Sequence, residues 1–161
     1  MTMDIEAPPD LGLLLRNLLD LELDALESYE TAMACAKSDA HRATLGQLRT
    51  QHAQHVHELT RRLCEVGGEP PKGPDLKRVL TQSKVALAGL KGDGPLLATL
   101  KTGEDDTCAS YEQATSAPSV PPPVHDLLCR YLDDERRFAS SLAGALALLD
   151  AGDDAPRSAS H

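Results

Sequence analysis

A short residue pattern occurs twice in this chain, and it strongly limits the fold that the chain can adopt. Glu22 begins the pattern Glu-x6-Tyr-Glu-x-Ala, and Glu104 begins a second copy about half a chain length later. Solenoid proteins have shorter and more numerous repeats, so a single return at this spacing indicates an internal duplication of a helical hairpin. The sequence therefore predicts two related halves, each built from the helix that carries the pattern and the helix that follows it.

The composition favours helices over sheets. Of the 161 residues, 41% are hydrophobic but only 2% are aromatic. The core must therefore consist mainly of Leu and Ala with a few Tyr, which favours helices over a β-sandwich. A chain of this length is expected to form one domain. Its acidic formal net charge of −9 argues against a phosphate-binding surface, so we expect no nucleic acid partner.

The sequence also allows a prediction of the cellular compartment in which the protein resides. It contains no run of about 18 apolar residues, and its first residues are acidic where a signal peptide is basic. These features predict a cytoplasmic protein with no membrane partner. The four cysteines are scattered without a CxxC pair, so we expect reduced and buried thiols. They are Cys35, Cys64, Cys108 and Cys129.

Apolar residues recur every three or four positions in four long segments, which predicts four amphipathic helices. The segments are residues 10–37, 40–66, 95–117 and 121–150. The first link is only a few residues long, so the helices that it joins should pack antiparallel. Residues 67–94 are rich in Gly and Pro and include a shorter helical pattern, which indicates a long crossover that contains an extra short helix. Residues 1–9 are interpreted as a flexible leader and residues 151–161 as a disordered tail.

Five polar residues fall at positions that the helical pattern assigns to the core. They are Glu22, His52, His55, Glu104 and Glu135. Glu22 and His55 lie at similar distances from the first turn, and Glu104 and Glu135 lie at similar distances from the last loop, so these four should share one level of the bundle. Buried carboxylates are normally paired, protonated or bound to metal. A metal ion is therefore one solution for this group, and Asp134 replaces Glu135 in it if the helical phase is shifted by one residue.

The chain resembles the ferritin-like superfamily, and in particular small bacterial ferritin-like proteins of unknown function. The resemblance covers roughly residues 10–150. It rests on the two Glu-x6-Tyr-Glu-x-Ala copies, on the Gly67-Gly68-Glu69-Pro70 ending of the second helix and on the long crossover. It implies an antiparallel four-helix bundle with a metal site.

The resemblance also shows what is missing from the usual ligand set. Ferritin-like di-iron proteins carry a Glu on each of two helices and a Glu-x-x-His on each of the other two. Glu22 and Glu104 match the lone glutamates, but the second helix offers His52-x-x-His55, and the fourth offers Glu135 with no histidine. The resemblance therefore implies one site for Fe, Mn or Zn, with Glu22, His55, Glu104 and Glu135 as first ligands and His52 as a fifth or peripheral ligand.

Three functions follow in order of preference. The first is a ferritin-like protein that binds a metal ion in its core, in metal homeostasis or a stress response by analogy with the superfamily. The second is a structural or interaction bundle with a metal-free polar core, for which a homodimer is one option. The third is a di-iron oxidase or peroxidase. Because the di-iron ligand set is incomplete, we do not expect an enzyme.

The remaining polar residues receive ordinary structural interpretations. Tyr29 and Tyr111 lie two helical turns beyond the two repeated glutamates, so we expect both to pack in the core with locally satisfied hydroxyls. The other four histidines lie off the core pattern or at the chain end and are expected on the solvated surface. They are His41, His57, His125 and His161.

Overall fold

The computed structural model describes residues 9–78, 87 and 89–153 of the chain, and its elements there are helices. Helix α1 spans Pro9–Cys35, α2 spans Asp39–Glu65, α3 spans Asp93–Thr115 and α4 spans Pro122–Asp153. A shorter helical stretch, residues 73–78, lies between α2 and α3. Over these described ranges the prediction of an all-α protein is confirmed, and no strand is present there.

Parts of the predicted leader, crossover and tail lie outside the described residues. These are most of the leader, residues 1–8, most of the tail, residues 154–161, and part of the crossover, residues 79–86 and 88. Compared with its predicted start at residue 10, helix α1 begins one residue earlier, at Pro9, because proline suits the first turn of a helix. Helix α4 continues to Asp153, slightly into the segment interpreted as tail.

Backbone geometry explains where α2 ends. Gly67 has a φ of 79°, which favours glycine, and its N–H donates to the carbonyl of Cys64 at 3.1 Å. The N–H of Gly68 donates to the carbonyl of Leu63 at 2.9 Å, and a Cβ at Gly68 would lie only 2.2 Å from the Leu63 side chain. Both glycines of this pair are therefore required to end the helix in this way.

The start of α3 is tied to the link between α1 and α2. The Asp93 carboxylate accepts hydrogen bonds from the backbone N–H groups of Lys37 at 2.8 Å and Ser38 at 3.0 Å, and it lies 2.7 Å from His41 Nδ1. The expectation that His41 is a solvated surface residue was therefore wrong, because a residue distant in the sequence partly covers it. The structure thus holds the link between α1 and α2 against the beginning of α3.

The helices pack in pairs around a core that a polar layer divides. Helix α1 packs against α2 and α3, α3 also packs against α4, and α2 and α4 touch in few places. One hydrophobic cluster contains Leu15, Leu59, Tyr111 and Leu128, and the other contains Tyr29, Leu45, Leu97 and Phe138. On every helix, the buried polar residues fall in sequence between the residues of the two clusters. The polar layer therefore crosses the middle of the protein.

Two further sequence expectations can be compared with the fold. All four cysteines are free, but Cys35 and Cys64 are exposed and not buried, because they fall off the apolar stripes of α1 and α2. Among the described helices, none combines the length and the apolar character that a membrane crossing requires.

Candidate metal centre

The structure brings the five polar residues that the sequence placed in the core into one group. Glu22 comes from α1, His52 and His55 from α2, Glu104 from α3 and Glu135 from α4. Every one of these residues is at most 2% exposed. The helical periodicity is the local cause, since each residue occupies a position on its helix where an apolar side chain would otherwise complete the core stripe.

Glu22 joins the two histidines. Its Oε2 lies 2.7 Å from His52 Nδ1 and its Oε1 lies 2.9 Å from His55 Nδ1. The hydroxyl of Tyr111 donates to the same Oε1 at 2.6 Å. One carboxylate on α1 is thus held by side chains from α2 and α3.

Glu104 occupies the far side of His52. Its Oε1 lies 2.8 Å from His52 Nε2 and accepts a hydrogen bond of 2.5 Å from the hydroxyl of Tyr29. The two tyrosines therefore bond reciprocally, since Tyr29 of the first sequence copy contacts the glutamate of the second, and Tyr111 of the second copy contacts the glutamate of the first. The expectation that both hydroxyls are satisfied locally was wrong, because their partners lie on another helix.

Two neighbouring acids on α4 reach His55. Glu135 Oε1 lies 3.2 Å from His55 Nδ1 and 3.7 Å from His52 Nδ1, while Asp134 Oδ2 lies 2.9 Å from His55 Nε2. The Asp134 side chain is 24% exposed and the Glu135 side chain is fully buried. The sequence left open whether Glu135 or Asp134 belongs to the buried group. In the structure, Glu135 lies inside the group and Asp134 lies at its edge.

Mutual interactions shift the pKa values of the group in opposite directions. Burial alone would raise the pKa of Glu22 and Glu104 and lower that of His52. The hydrogen bonds between His52 and the two carboxylates outweigh burial, so the pKa of both carboxyls is lowered and the pKa of His52 is raised to about 9. Burial and the nearby charges of Glu22 and Glu104 raise the pKa of Glu135 far above its usual range. These directions favour ionised carboxylates at Glu22 and Glu104, a protonated imidazole at His52 and a neutral carboxyl at Glu135.

Two carboxyl oxygens in the layer have no hydrogen-bond partner. They are Glu104 Oε2 and Glu135 Oε2, and both are buried. Buried polar atoms are nearly always satisfied in folded proteins, so unpaired oxygens next to two imidazoles call for an explanation. A proton shared between the carboxyls of Glu104 and Glu135 is one, and a bound cation in its place is another.

Four of the five residues can hold a metal ion together. One ligand atom from each of Glu22, His52, His55 and Glu135 lies within 4.8 Å of every other. Tetrahedral ligands at the usual distances from Zn²⁺ stand about 3.4 Å apart. The observed separations between imidazole nitrogens and carboxylate oxygens, from 2.7 to 3.7 Å, bracket this value. Glu104, which the sequence also proposed as a ligand, lies outside this set of four.

Sequence reasoning gave no role in the centre to the aromatic ring of Tyr131. Its ring stacks on that of His55, with ring centroids 3.8 Å apart, and it also lines a shallow groove of about 530 Å³ between α2 and α4. The available signal was its position on the apolar stripe of α4, one turn before Glu135. Tyr131 therefore separates the buried histidine from the groove.

The fold and the site define an all-helical protein with a buried group of two glutamates and two histidines that can hold a metal ion. A family described as a domain of unknown function (DUF2383) matches residues 13–117, and the chain belongs to this family. The match includes Glu22, His52, His55 and Glu104 but ends before α4, which carries Asp134 and Glu135. No curated protein and no solved structure matches the chain.

Proposed function

We propose that this protein binds one metal ion, Fe, Mn or Zn, in the polar layer of its core. The observation that carries the proposal is the set of four buried ligand groups, Glu22, His52, His55 and Glu135, within 4.8 Å of one another. The unpaired oxygen of Glu135 fits it as well, because a cation would satisfy that atom in place of a proton shared with Glu104. Mixed nitrogen and oxygen ligands suit all three metals.

We further propose that the bundle is antiparallel and ferritin-like. The order of the two hydrophobic clusters along the helices supports this arrangement. The cluster of Leu15 comes first on α1 and α4 and last on α2 and α3, which is the order expected when α1 and α4 run against the other two helices. The reciprocal bonds from Tyr29 to Glu104 and from Tyr111 to Glu22 support the internal duplication.

A single resident ion is favoured over a di-iron oxidase or peroxidase. Helix α4 contributes Glu135 without a histidine beside it, so one nitrogen ligand of a di-iron centre is missing. A role in metal homeostasis or stress response in the cytoplasm follows by analogy with ferritin-like proteins.

One observation favours a different class, a structural or interaction bundle with a metal-free polar core. All four ring nitrogens of His52 and His55 already have carboxylate partners within 3.2 Å. A network of this kind can set helix register without a metal. The two functions differ in a single measurable property, which is metal content.

Metal analysis of protein purified without a histidine tag tests the proposal. We expect about one equivalent of metal per chain, and a thermal shift with added Fe²⁺, Mn²⁺ or Zn²⁺. A free metal concentration of a hundred times Kd stabilises the fold by about 2.7 kcal/mol, or roughly 5 to 10 °C for a chain of this size.

Two histidine variants serve as the comparison. His52→Ala with His55→Ala should abolish both the metal content and the thermal shift. His57→Ala changes an exposed histidine on the same helix and should abolish neither. Trace metal and no thermal shift in the unaltered protein would rule out metal binding and leave the structural bundle.

A further inference from the structure

We infer that both histidines bind the metal through Nδ1, and that Glu104 and Asp134 hold the opposite ring nitrogens and thereby position the imidazoles. This inference rests on the proposed metal site. It makes Glu104 and Asp134 positioning residues, each acting on the ion through a histidine.

The Nδ1 atoms face the interior of the four-residue group. His52 Nδ1 lies 2.7 Å from Glu22 and 3.7 Å from Glu135. His55 Nδ1 lies 2.9 Å from Glu22 and 3.2 Å from Glu135. Both nitrogens thus face the same two carboxylates.

The Nε2 atoms face away from this group and towards other acids. His52 Nε2 lies 2.8 Å from Glu104, and His55 Nε2 lies 2.9 Å from Asp134. Each of these acids is itself held, Glu104 by the hydroxyl of Tyr29 and Asp134 by an ion pair with Arg137. The two imidazoles therefore have the same arrangement, with a shared carboxylate pair at Nδ1 and a separately anchored carboxylate at Nε2.

This arrangement has a specific chemical consequence. A carboxylate that accepts a hydrogen bond from one imidazole nitrogen fixes the proton there and leaves the other nitrogen free to bind metal. It also makes the ligand more basic, and removal of such a partner typically lowers metal affinity by about 10- to 100-fold.

Long-range ¹H–¹⁵N spectra of Zn²⁺-loaded protein labelled at its histidines test which nitrogens bind. For His52 and His55 we expect the Nδ1 resonance to move on Zn²⁺ addition and Nε2 to keep its proton. Single His52→Ala and His55→Ala variants assign the signals. Zn²⁺ bound through Nε2 of either histidine would overturn the inference while leaving the metal site itself intact.

Asp134 and its neighbour Asp133 provide a matched pair of variants. Both lie on α4 and form an ion pair with the arginine three residues later, but the Asp133 side chain is 76% exposed and Asp134 alone contacts His55. Asp134→Ala should weaken Zn²⁺ binding by about 10- to 100-fold, and Asp133→Ala should leave it unchanged. Asp134→Asn should restore most of the affinity, because the amide oxygen still accepts the Nε2 proton.

Glu104 is tested in the same way. Glu104→Ala should weaken Zn²⁺ binding and Glu104→Gln should restore it, whereas a direct carboxylate ligand would be lost in both variants. Equal affinities for Asp134→Ala and Asp133→Ala would contradict a positioning role for Asp134. Failure of the unaltered protein to bind any of Zn²⁺, Fe²⁺ and Mn²⁺ would instead overturn the proposed function, and the inference with it.

Discussion

Glu135 matters both for the charge balance of the buried polar layer and for the proposed metal site. Its side chain is fully buried beside the carboxylates of Glu22 and Glu104, and one of its oxygens has no partner. Without a metal, a proton on this carboxyl removes the repulsion between the acids. In the proposed metal site, the same oxygen atoms would bind the ion.

Glu135→Gln is expected to separate these two states. The amide has nearly the shape of a protonated carboxyl and can donate to the same neighbouring carboxylates, so the metal-free protein should melt within a few degrees of the unaltered one. The thermal shift on adding Zn²⁺ should be largely lost, because a neutral amide is a weak ligand. Differential scanning fluorimetry with and without Zn²⁺ measures both effects.

Glu112→Gln is the control, since that side chain is 55% exposed on α3. It should keep the full shift. A Glu135→Gln protein that still gained the full Zn²⁺ stabilisation would remove Glu135 from the ligand set.

Residue by residue, the sequence could predict which side chains are buried but not which atoms meet. The phase of four amphipathic helices was enough to place Glu22, His52, His55, Glu104 and Glu135 in the core, and all are buried. It could not predict that Asp134 reaches His55 from the edge of the core, or that Tyr29 crosses to Glu104. Those contacts depend on the rotation of two helices about their axes, which a pattern on one helix does not specify.

At the scale of elements, the two tyrosine hydroxyls connect α1 with α3. The hydroxyl of Tyr111 is buried and donates to Glu22 at 2.6 Å. Tyr111→Phe removes this hydrogen bond to a charged group and should lower the free energy of unfolding by about 1.5 to 3 kcal/mol. Urea unfolding followed by circular dichroism measures the loss.

Two related variants sharpen this test. Tyr29→Phe should have a similar cost, because its hydroxyl makes the reciprocal bond to Glu104. Tyr131 is only half-buried, so Tyr131→Phe should cost less. A cost for Tyr111→Phe no greater than that for Tyr131→Phe would mean that the bond to Glu22 contributes little to the packing of α1 against α3.

Asp93 connects the first turn of α3 with the link between α1 and α2. Burial alone would raise the pKa of Asp93, but the hydrogen bonds from Lys37 N–H, His41 and Ser38 N–H lower it to about 2. A carboxyl whose folded-state pKa is lowered stabilises the fold above its unfolded-state pKa and loses this effect as the pH falls. The contribution of Asp93 should therefore be complete above about pH 4 and disappear towards about pH 2.

Asp93→Asn tests this pH dependence. The variant should be less stable than the unaltered protein by about 1 kcal/mol at pH 6, since the amide makes weaker hydrogen bonds than the carboxylate. The difference should be nearly complete at pH 4 and clearly smaller at pH 3. Guanidinium unfolding of the two proteins at each pH gives the difference directly, and a difference that stays constant from pH 6 to pH 3 would contradict the role of the ionised carboxylate.

For the whole molecule, composition and periodicity predicted an all-α chain, because a core of Leu and Ala with few aromatic residues suits helices. The repeated pattern also paired Glu22 with Glu104, and the structure places these two on opposite sides of His52. The sequence could not predict the contact between Asp93 and His41. The long segment between α2 and α3 carries no pattern that indicates which loop lies against which helix end. Long-range contacts made by loops are set by the packed fold and leave no periodic signal.

The polar layer divides the core into two apolar clusters, and this division should cost stability when no metal is bound. Replacing a buried charged network by apolar residues of similar volume is often stabilising by about 1 to 4 kcal/mol, whereas removing one member costs about 3 to 5 kcal/mol. We therefore predict opposite effects for a complete and a partial replacement of the layer. The complete variant changes the five acidic and histidine residues to Leu and the two tyrosines to Phe, at Glu22, His52, His55, Glu104, Glu135, Tyr29 and Tyr111.

In urea unfolding with a chelator present, the complete variant should be more stable than the unaltered protein by about 1 to 4 kcal/mol, and His52→Ala alone should be less stable by about 3 to 5 kcal/mol. Added Zn²⁺ should stabilise only the unaltered protein. This result would mean that the chain keeps its polar layer for metal binding at the expense of stability. A complete variant that is less stable than the unaltered protein, or that unfolds without cooperativity, would instead assign the layer a structural role in specifying the helix register.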